Sequence, residues 1–208
     1  MPLHSDISVH CRKIGFDNLN PILWHKISNA SFEVENGSKF LGKPYEPNAI
    51  IKNDLEFILM QRKPGGYRKP TDLQRKLSMI EKENFDLWFQ QIWRLTGAST
   101  REHPAPYPLE LADRLVRMFS FHGDTVLDPF VGTGTTLVAA AKAGRNSIGV
   151  EIDPTYAKMA RDRLRELGDL FSQPRVKVIG IEEPKGLPRG KSDGRHAVAA
   201  EPTTSYTR

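Results

Sequence analysis

Residues 123–153, GDTVLDPFVGTGTTLVAAAKAGRNSIGVEID, constrain the fold of this chain more than any other stretch. Thr125, Val126 and Leu127 form a short apolar run that stops at Asp128-Pro129, as a strand does where it meets a turn. Gly132 and Gly134 follow, and a backbone without side chains lets a ligand approach closely. Thr135 and Thr136 open a helix that runs to Ala143, and Gly144 stands where a left-handed cap is expected. A second strand, Ser147 to Val150, delivers Glu151 at its carboxyl end. Such a unit belongs in an open α/β sheet, where ligands bind outside the carboxyl ends of the strands.

The chemistry follows from the acids. Glu151 lies twenty-three residues after Asp128, close to the spacing of about 20 at which a carboxylate meets ribose hydroxyls. Leu137 stands where a dinucleotide fingerprint G-x-G-x-x-G would have its third glycine. The acid ahead of the turn, Asp128, suits a ligand with a cationic end better than a pyrophosphate. Both features argue against a nicotinamide-binding oxidoreductase. A nucleoside carrying an amino acid and a sulfonium fits: S-adenosylmethionine. A tight turn with no ligand would leave two acids and two glycines at strand ends without a reason.

Charge points to a second partner. The net charge is +5, and residues 60–101 hold nine basic residues against four acidic ones, which accounts for the whole excess. Tyr67, Phe85, Trp88, Phe89 and Trp93 lie among them. Cations for phosphates and flat rings for bases suit nucleic acid, with Arg62, Lys63, Arg68 and Lys69 as the candidate contacts. The competing reading is structural: Phe85, Trp88, Phe89 and Ile92 recur at helical spacing and predict a buried face. With 38% hydrophobic and 26% charged residues, no apolar run of about 18 and no signal-peptide core in MPLHSDISVHCRK, a cytoplasmic protein is expected. Cys11 is the single cysteine, so no intrachain disulfide or thiolate cluster forms. The six histidines, His4, His10, His25, His103, His122 and His196, lack metal-ligand spacing, and no metal is expected.

The remaining elements read in order. A helix ends before Gly15. Strands over 19–27 and 55–60, joined by a loop through 28–47, predict an antiparallel pair. Prolines extend His103 to Pro108. A helix over 109–121 places Leu111, Leu115, Val116 and Phe119 on one face. Asp153 caps a helix that begins at Pro154, with Tyr156, Met159, Ala160, Leu164 and Leu167 inward. A last strand covers 175–181. From Glu182 the chain is polar and Gly/Pro-rich, and disorder is expected over 183–208.

His103 to Leu164, with its His-Pro-x-x-x-Pro, LDPFVGTGTT and GVEID segments, resembles the cofactor-binding half of the DNA amino-methyltransferases, which methylate adenine N6 or cytosine N4. ILWHK and EFILMQRKP resemble the segments that precede the cofactor motifs in the subgroup whose catalytic half comes first. The resemblance covers roughly residues 1–170. It implies a Rossmann-like, doubly wound α/β sheet with one antiparallel strand. Within a methyltransferase domain over 1–182, residues 1–64 would close the catalytic half, 65–102 would be the recognition segment and 103–182 would bind S-adenosylmethionine. Asp128, Phe130, Gly132, Gly134 and Thr135 would line the methionine, Glu151 would hold the ribose, and Ile152 would pack on the adenine. His103 and Pro104, with the residues up to Pro108, would close the methionine side.

One part of that family's pattern is absent. Its enzymes carry an Asp/Asn/Ser-Pro-Pro-aromatic loop that receives the flipped base, and no Pro-Pro pair occurs among the 208 residues. Asp128-Pro129-Phe130 belongs to the cofactor turn, and Asp153-Pro154-Thr155-Tyr156 reads as a helix cap. No catalytic residue is therefore assigned. The family's layout also places two central strands ahead of Met1, so the sheet is expected to be incomplete. A split or truncated enzyme, active with an N-terminal partner chain, and a non-catalytic remnant that binds cofactor or DNA both remain open, as does the choice of adenine or cytosine.

Overall fold

The computed structural model describes residues 3–26, 54–98, 106–168, 174–181 and 195–201. The chain divides into two units, Met1–Lys69 with Glu81–Ala98, and Pro70–Ile80 with Ser99–Arg208. The loop expected over 28–47 lies outside the described residues. Among the described residues, no helix is long and apolar enough to cross a membrane.

The first unit begins with α1 (Leu3–Lys13), β1 (Asp17–Asn18), β2 (Ile22–His25), β3 (Leu55–Ile58) and β4 (Gln61–Arg62). After α2 (Asp72–Leu77), which clusters with the other unit, come α3 (Lys82–Trp88) and β5 (Ile92–Arg94). The expected antiparallel pair is β2 with β3, where Trp24 faces Glu56. On its other side β2 pairs in parallel with β5, Trp24 opposite Trp93. The three tryptophans of the chain are all buried in this unit. Trp24 Nε1 donates to Leu95 O and Trp93 Nε1 to Trp88 O, each at 2.9 Å, so these indole N–H groups are not orphaned in the core.

The expected helical face needs correcting here. Only Trp88 of the four is buried; Phe85 and Phe89 are each half exposed, their rings stacked 4.2 Å apart. The reason is that α3 stops at Trp88 and the chain turns at Gln90-Gln91 into a strand. From there the period is two, and Ile92 points outward while Trp93 points in.

The second unit holds α4 (Leu109–Phe119), β6 (Thr125–Asp128), α5 (Thr135–Lys142), β7 (Asn146–Glu151), α6 (Pro154–Arg165), β8 (Arg175–Ile181) and β9 (Arg195–Glu201). The sheet order is β6-β7-β9-β8. β6 and β7 are parallel, and β9 is antiparallel to both of its neighbours. The mixed α/β sheet with one antiparallel strand is therefore observed. The stretch expected to be disordered from 183 onward contains β9, whose backbone takes the edge that β7 would otherwise leave unpaired.

Leu137 and Leu164 are fully buried against Val131, Val138 and Ala157, and each such leucine stabilises the fold by roughly 1.5–3 kcal/mol. A second cluster joins Ala112 and Val116 of α4 to Ala139 of α5 and Ala143 at its C-terminal cap. Phe119, expected inward, is 53% exposed. It borders an apolar groove of about 470 Å³ with Leu111, Leu115, Val116 and Val126. β6 is the end strand of its sheet, and its Leu127 is 63% exposed.

The opposite end of the β6–β7 pair is tied by Arg145, which is buried. Its guanidinium donates to Ser120 O at 2.7 Å, Ser120 Oγ at 3.1 Å and Ala143 O. His122 donates its N–H to Ser78 Oγ and accepts from Gln74 Nε2 through its carbonyl, while its ring lies on Gly144. Burial, and then the Arg145 charge, lower the His122 pKa. A base whose folded pKa is depressed favours the fold while neutral. Its contribution is complete above the unfolded value of about 6.5 and is lost as pH falls below that value. The thermal midpoint is thus expected to fall between pH 7.5 and 5.5, and His122→Gln to shrink that fall. An unchanged fall in the variant would reject His122 as its source.

Candidate cofactor site

The site is built where β6 and β7 end. Asp128 closes β6, and two donors hold its carboxylate, one on each oxygen. Oδ1 accepts from Phe130 N at 3.0 Å and Oδ2 accepts from Thr136 Oγ1 at 2.6 Å, while the Tyr107 hydroxyl lies 3.3 Å from Oδ2. Gly132 (φ 51°) and Gly134 (φ 87°) both take left-handed backbone, which explains the glycines of the turn. A Cβ on Gly134 would sit 2.8 Å from Ala160 Cβ, so the turn rests directly on α6. From α6, Arg163 Nη1 donates to Thr133 O at 2.8 Å, to Thr133 Oγ1 at 3.1 Å and to Thr135 Oγ1 at 3.5 Å. That guanidinium ties the turn to the helix beneath it.

Glu151 ends β7 at 9% exposure. Oε2 accepts from Gly132 N at 2.7 Å, and Oε1 accepts from Ile152 N at 2.8 Å and Asp153 N at 2.9 Å. A carboxylate offers about four acceptor positions, so in this conformation roughly one, on Oε2, is open. The residue expected to hold a ribose also staples the glycine turn to the end of β7. Phe130 at 88% and Ile152 at 49% exposure stand at the rim as apolar surface.

Asp153 does what its place before Pro154 predicts. Its side chain accepts from Thr155 N at 2.7 Å and caps α6, and that backbone bond holds its carboxyl below the usual carboxylate range. His103 and Pro104 lie outside the described residues. Asp128, Phe130, Gly132, Gly134, Glu151 and Ile152 belong to the turn or the strand ends around it, and Thr135 is the first residue of α5 directly after the turn.

Of the candidate DNA contacts, Arg62, Lys63, Arg68 and Lys69 are all exposed. Arg62 is engaged: Nη2 lies 3.1 Å from Asp17 Oδ2, and its guanidinium carbon is 5.9 Å from the centroid of the Tyr67 ring. Two residues are not assigned to the site by the sequence reading, Thr136 and Arg163, and Tyr107 enters it only as one of the residues up to Pro108 expected to close the methionine side, not as a partner of Asp128. Thr136 is visible in the sequence as a helix-opening threonine. Nothing local marked Arg163.

Comparison with known proteins fits this geometry. The DNA methylase family model, for N6 and N4 methyltransferases, matches residues 4–162. The chain belongs to the DNA methylase family. It is 44% identical over 171 residues to the type II methyltransferase M.MjaI of Methanocaldococcus jannaschii, covering 78% of this chain and 54% of that protein. It is 42% identical over 164 residues to M.MthZI of Methanothermobacter thermautotrophicus, covering 73% and 44%. Among solved structures it resembles TTHA0409 of Thermus thermophilus, assigned as a DNA modification methylase and solved with S-adenosyl-L-methionine. That match has 57% identity and a TM-score of 0.65, covering 78% of this chain and 59% of that one. This DNA methylase chain spans about half the length of the curated relatives it matches.

Proposed function

We propose that this chain supplies the cofactor-binding part of a DNA amino-methyltransferase that moves the methyl group of S-adenosyl-L-methionine onto adenine N6 or cytosine N4. The observation that carries the reading is the pair of carboxylates, Asp128 and Glu151, at the carboxyl ends of two parallel strands on either side of a turn of left-handed glycines. The donor set fits such a ligand. Asp128 is a fixed anion for a cationic amino end, and the open position on Glu151 Oε2 accepts a ribose hydroxyl. Gly132 and Gly134 leave room at the turn, and Phe130 and Ile152 offer apolar surface to the adenine. The bound cofactor presents an electrophilic methyl on sulfur to the exocyclic amine of the base. Here the chain's own residues orient that group, while Arg62, Lys63, Arg68 and Lys69 offer cations to DNA phosphates.

The base-receiving loop belongs, in this reading, to further strands laid against β6, in the same polypeptide or in a partner chain. In support, β6 has one paired neighbour among the described residues, Leu127 is exposed, and an apolar groove opens beside it. Calorimetry on the chain of 208 residues is expected to detect S-adenosyl-L-methionine. Radiolabelled methyl transfer to DNA is expected only after addition of the N-terminal half of a relative such as TTHA0409. Methylation by the chain alone would refute the need for a complement. Absence of cofactor binding both with and without the complement would refute the function.

A further inference from the structure

Tyr107, in the segment before α4, and Thr136, in the first turn of α5, meet at Asp128 in a way that fixes where every proton lies. Ionised Asp128 can only accept. Thr136 Oγ1 is 2.6 Å from Asp128 Oδ2 and gives its single proton there. The Tyr107 and Thr136 oxygens are 2.5 Å apart, a distance that two hydroxyls hold only with a proton between them. Thr136 having given its own, that proton comes from Tyr107, and the longer 3.3 Å approach of the phenol to Oδ2 is secondary. The result is a directed chain, Tyr107 to Thr136 to Asp128, in which each bond polarises the next. Burial raises the Tyr107 pKa above the ordinary phenol value, with Asp128 adding to it, so the phenol remains a donor throughout the neutral range.

Asp128 therefore cannot rotate freely. Phe130 N holds one oxygen and the hydroxyl chain holds the other, which leaves about one open acceptor position on Oδ1. Register sets where that position lies. Asp128 pairs with Gly149, so Glu151 starts two residues further along the neighbouring strand, with Cα atoms roughly 8 Å apart. Two anions at that separation address two ends of one nucleoside.

We propose that Tyr107, acting through Thr136, is a positioning residue that orients Asp128 toward the cationic amino end of the cofactor, whereas Glu151 serves the ribose. The inference rests on the cofactor reading above and extends it to residues that touch the site only through Asp128. Its test is calorimetry on the full chain with three ligands: S-adenosyl-L-methionine, S-adenosyl-L-homocysteine, and 5′-methylthioadenosine, which has no amino acid. Tyr107→Phe and Thr136→Val are each expected to weaken the two amino-acid ligands about fivefold to tenfold, with 5′-methylthioadenosine changed less than twofold. Thr136→Ser, which keeps the hydroxyl, is expected to bind as the parent does. Because the chain runs in series, the double variant should be no weaker than Thr136→Val alone. Equal losses for all three ligands would reduce Tyr107 to a structural role and overturn the proposal, as would a Tyr107→Phe variant that binds like the parent. A parent chain that binds none of the three ligands would instead overturn the cofactor reading, and this inference with it.

Discussion

Replacing Glu151 with alanine is expected to weaken S-adenosyl-L-methionine binding at least about 100-fold and to lower the thermal midpoint of the ligand-free chain. Two separate losses add. The first exists without ligand, because Gly132, Ile152 and Asp153 lose the carboxylate their N–H groups donate to. Ile152 is half exposed and its amide finds water, but Gly132 is buried. Stranding that donor and removing a charged acceptor costs about 2–3 kcal/mol, or roughly 4–12 °C for a chain of this size. The second loss is the ribose acceptor itself, together with a glycine turn no longer stapled to β7. Glutamine is not a neutral replacement. Both oxygens of Glu151 accept backbone protons, and a glutamine has one oxygen, so its NH₂ must face an N–H. Glu151→Gln should therefore also lose affinity, by a smaller factor. Calorimetry and thermal melts on the same samples separate the two effects. A lower midpoint with unchanged affinity would leave Glu151 as a staple and remove it from the ribose.

What could be read from residues alone was whatever depends on neighbours in sequence. The β6–α5–β7 unit was legible because its signals are local: Gly132 and Gly134 in left-handed backbone, Gly144 past the helix end, Asp153 ahead of Pro154. The β2–β3 pair was legible from two apolar runs and a long connection. What stayed hidden is tertiary. β5 joins β2 across some seventy residues, and no local pattern separates Ile92 as an outward-facing strand position from a third turn of helix. β9 is a run of small residues in a polar tail, and only the vacant side of β7 gives it a place. In the site, the acids and glycines were named from spacing, but the partners that aim them were not. Arg163 reaches the turn from a helix that begins twenty residues later, and Tyr107 reaches Asp128 from before α4. The double use of Glu151 was invisible for a related reason: spacing reveals that an acid stands at a strand end, not how many amides already point at it.

Gly134→Ala is expected to be the most damaging methyl that can be added to this chain. The backbone there has φ 87°, a left-handed conformation that costs an L-residue about 1–2 kcal/mol. The new Cβ would also lie 2.8 Å from Ala160 Cβ and 2.9 Å from Ala160 Cα. The second of these atoms is backbone of a packed helix and cannot swing aside, so either α6 retreats or the turn lifts, and overpacking of this kind costs about 1–3 kcal/mol. Lifting the turn would pull Thr135 and Thr136 with it, and with them the bonds from Arg163 and to Asp128. Stability and cofactor affinity should therefore fall together, the first by several degrees of thermal midpoint and the second by at least about tenfold. Ala160→Gly offers no escape. It removes one of the two clashes, leaves the clash with the helix backbone in place, and adds the roughly 1 kcal/mol penalty of glycine inside a helix. Gly66→Ala is the control, since a methyl there meets nothing within 4 Å and its backbone is not left-handed. It should match the parent in melting and in calorimetry. If Gly134→Ala did so too, the close approach of the turn to α6 would be refuted, and with it the way this fold holds its glycine bend open to a ligand.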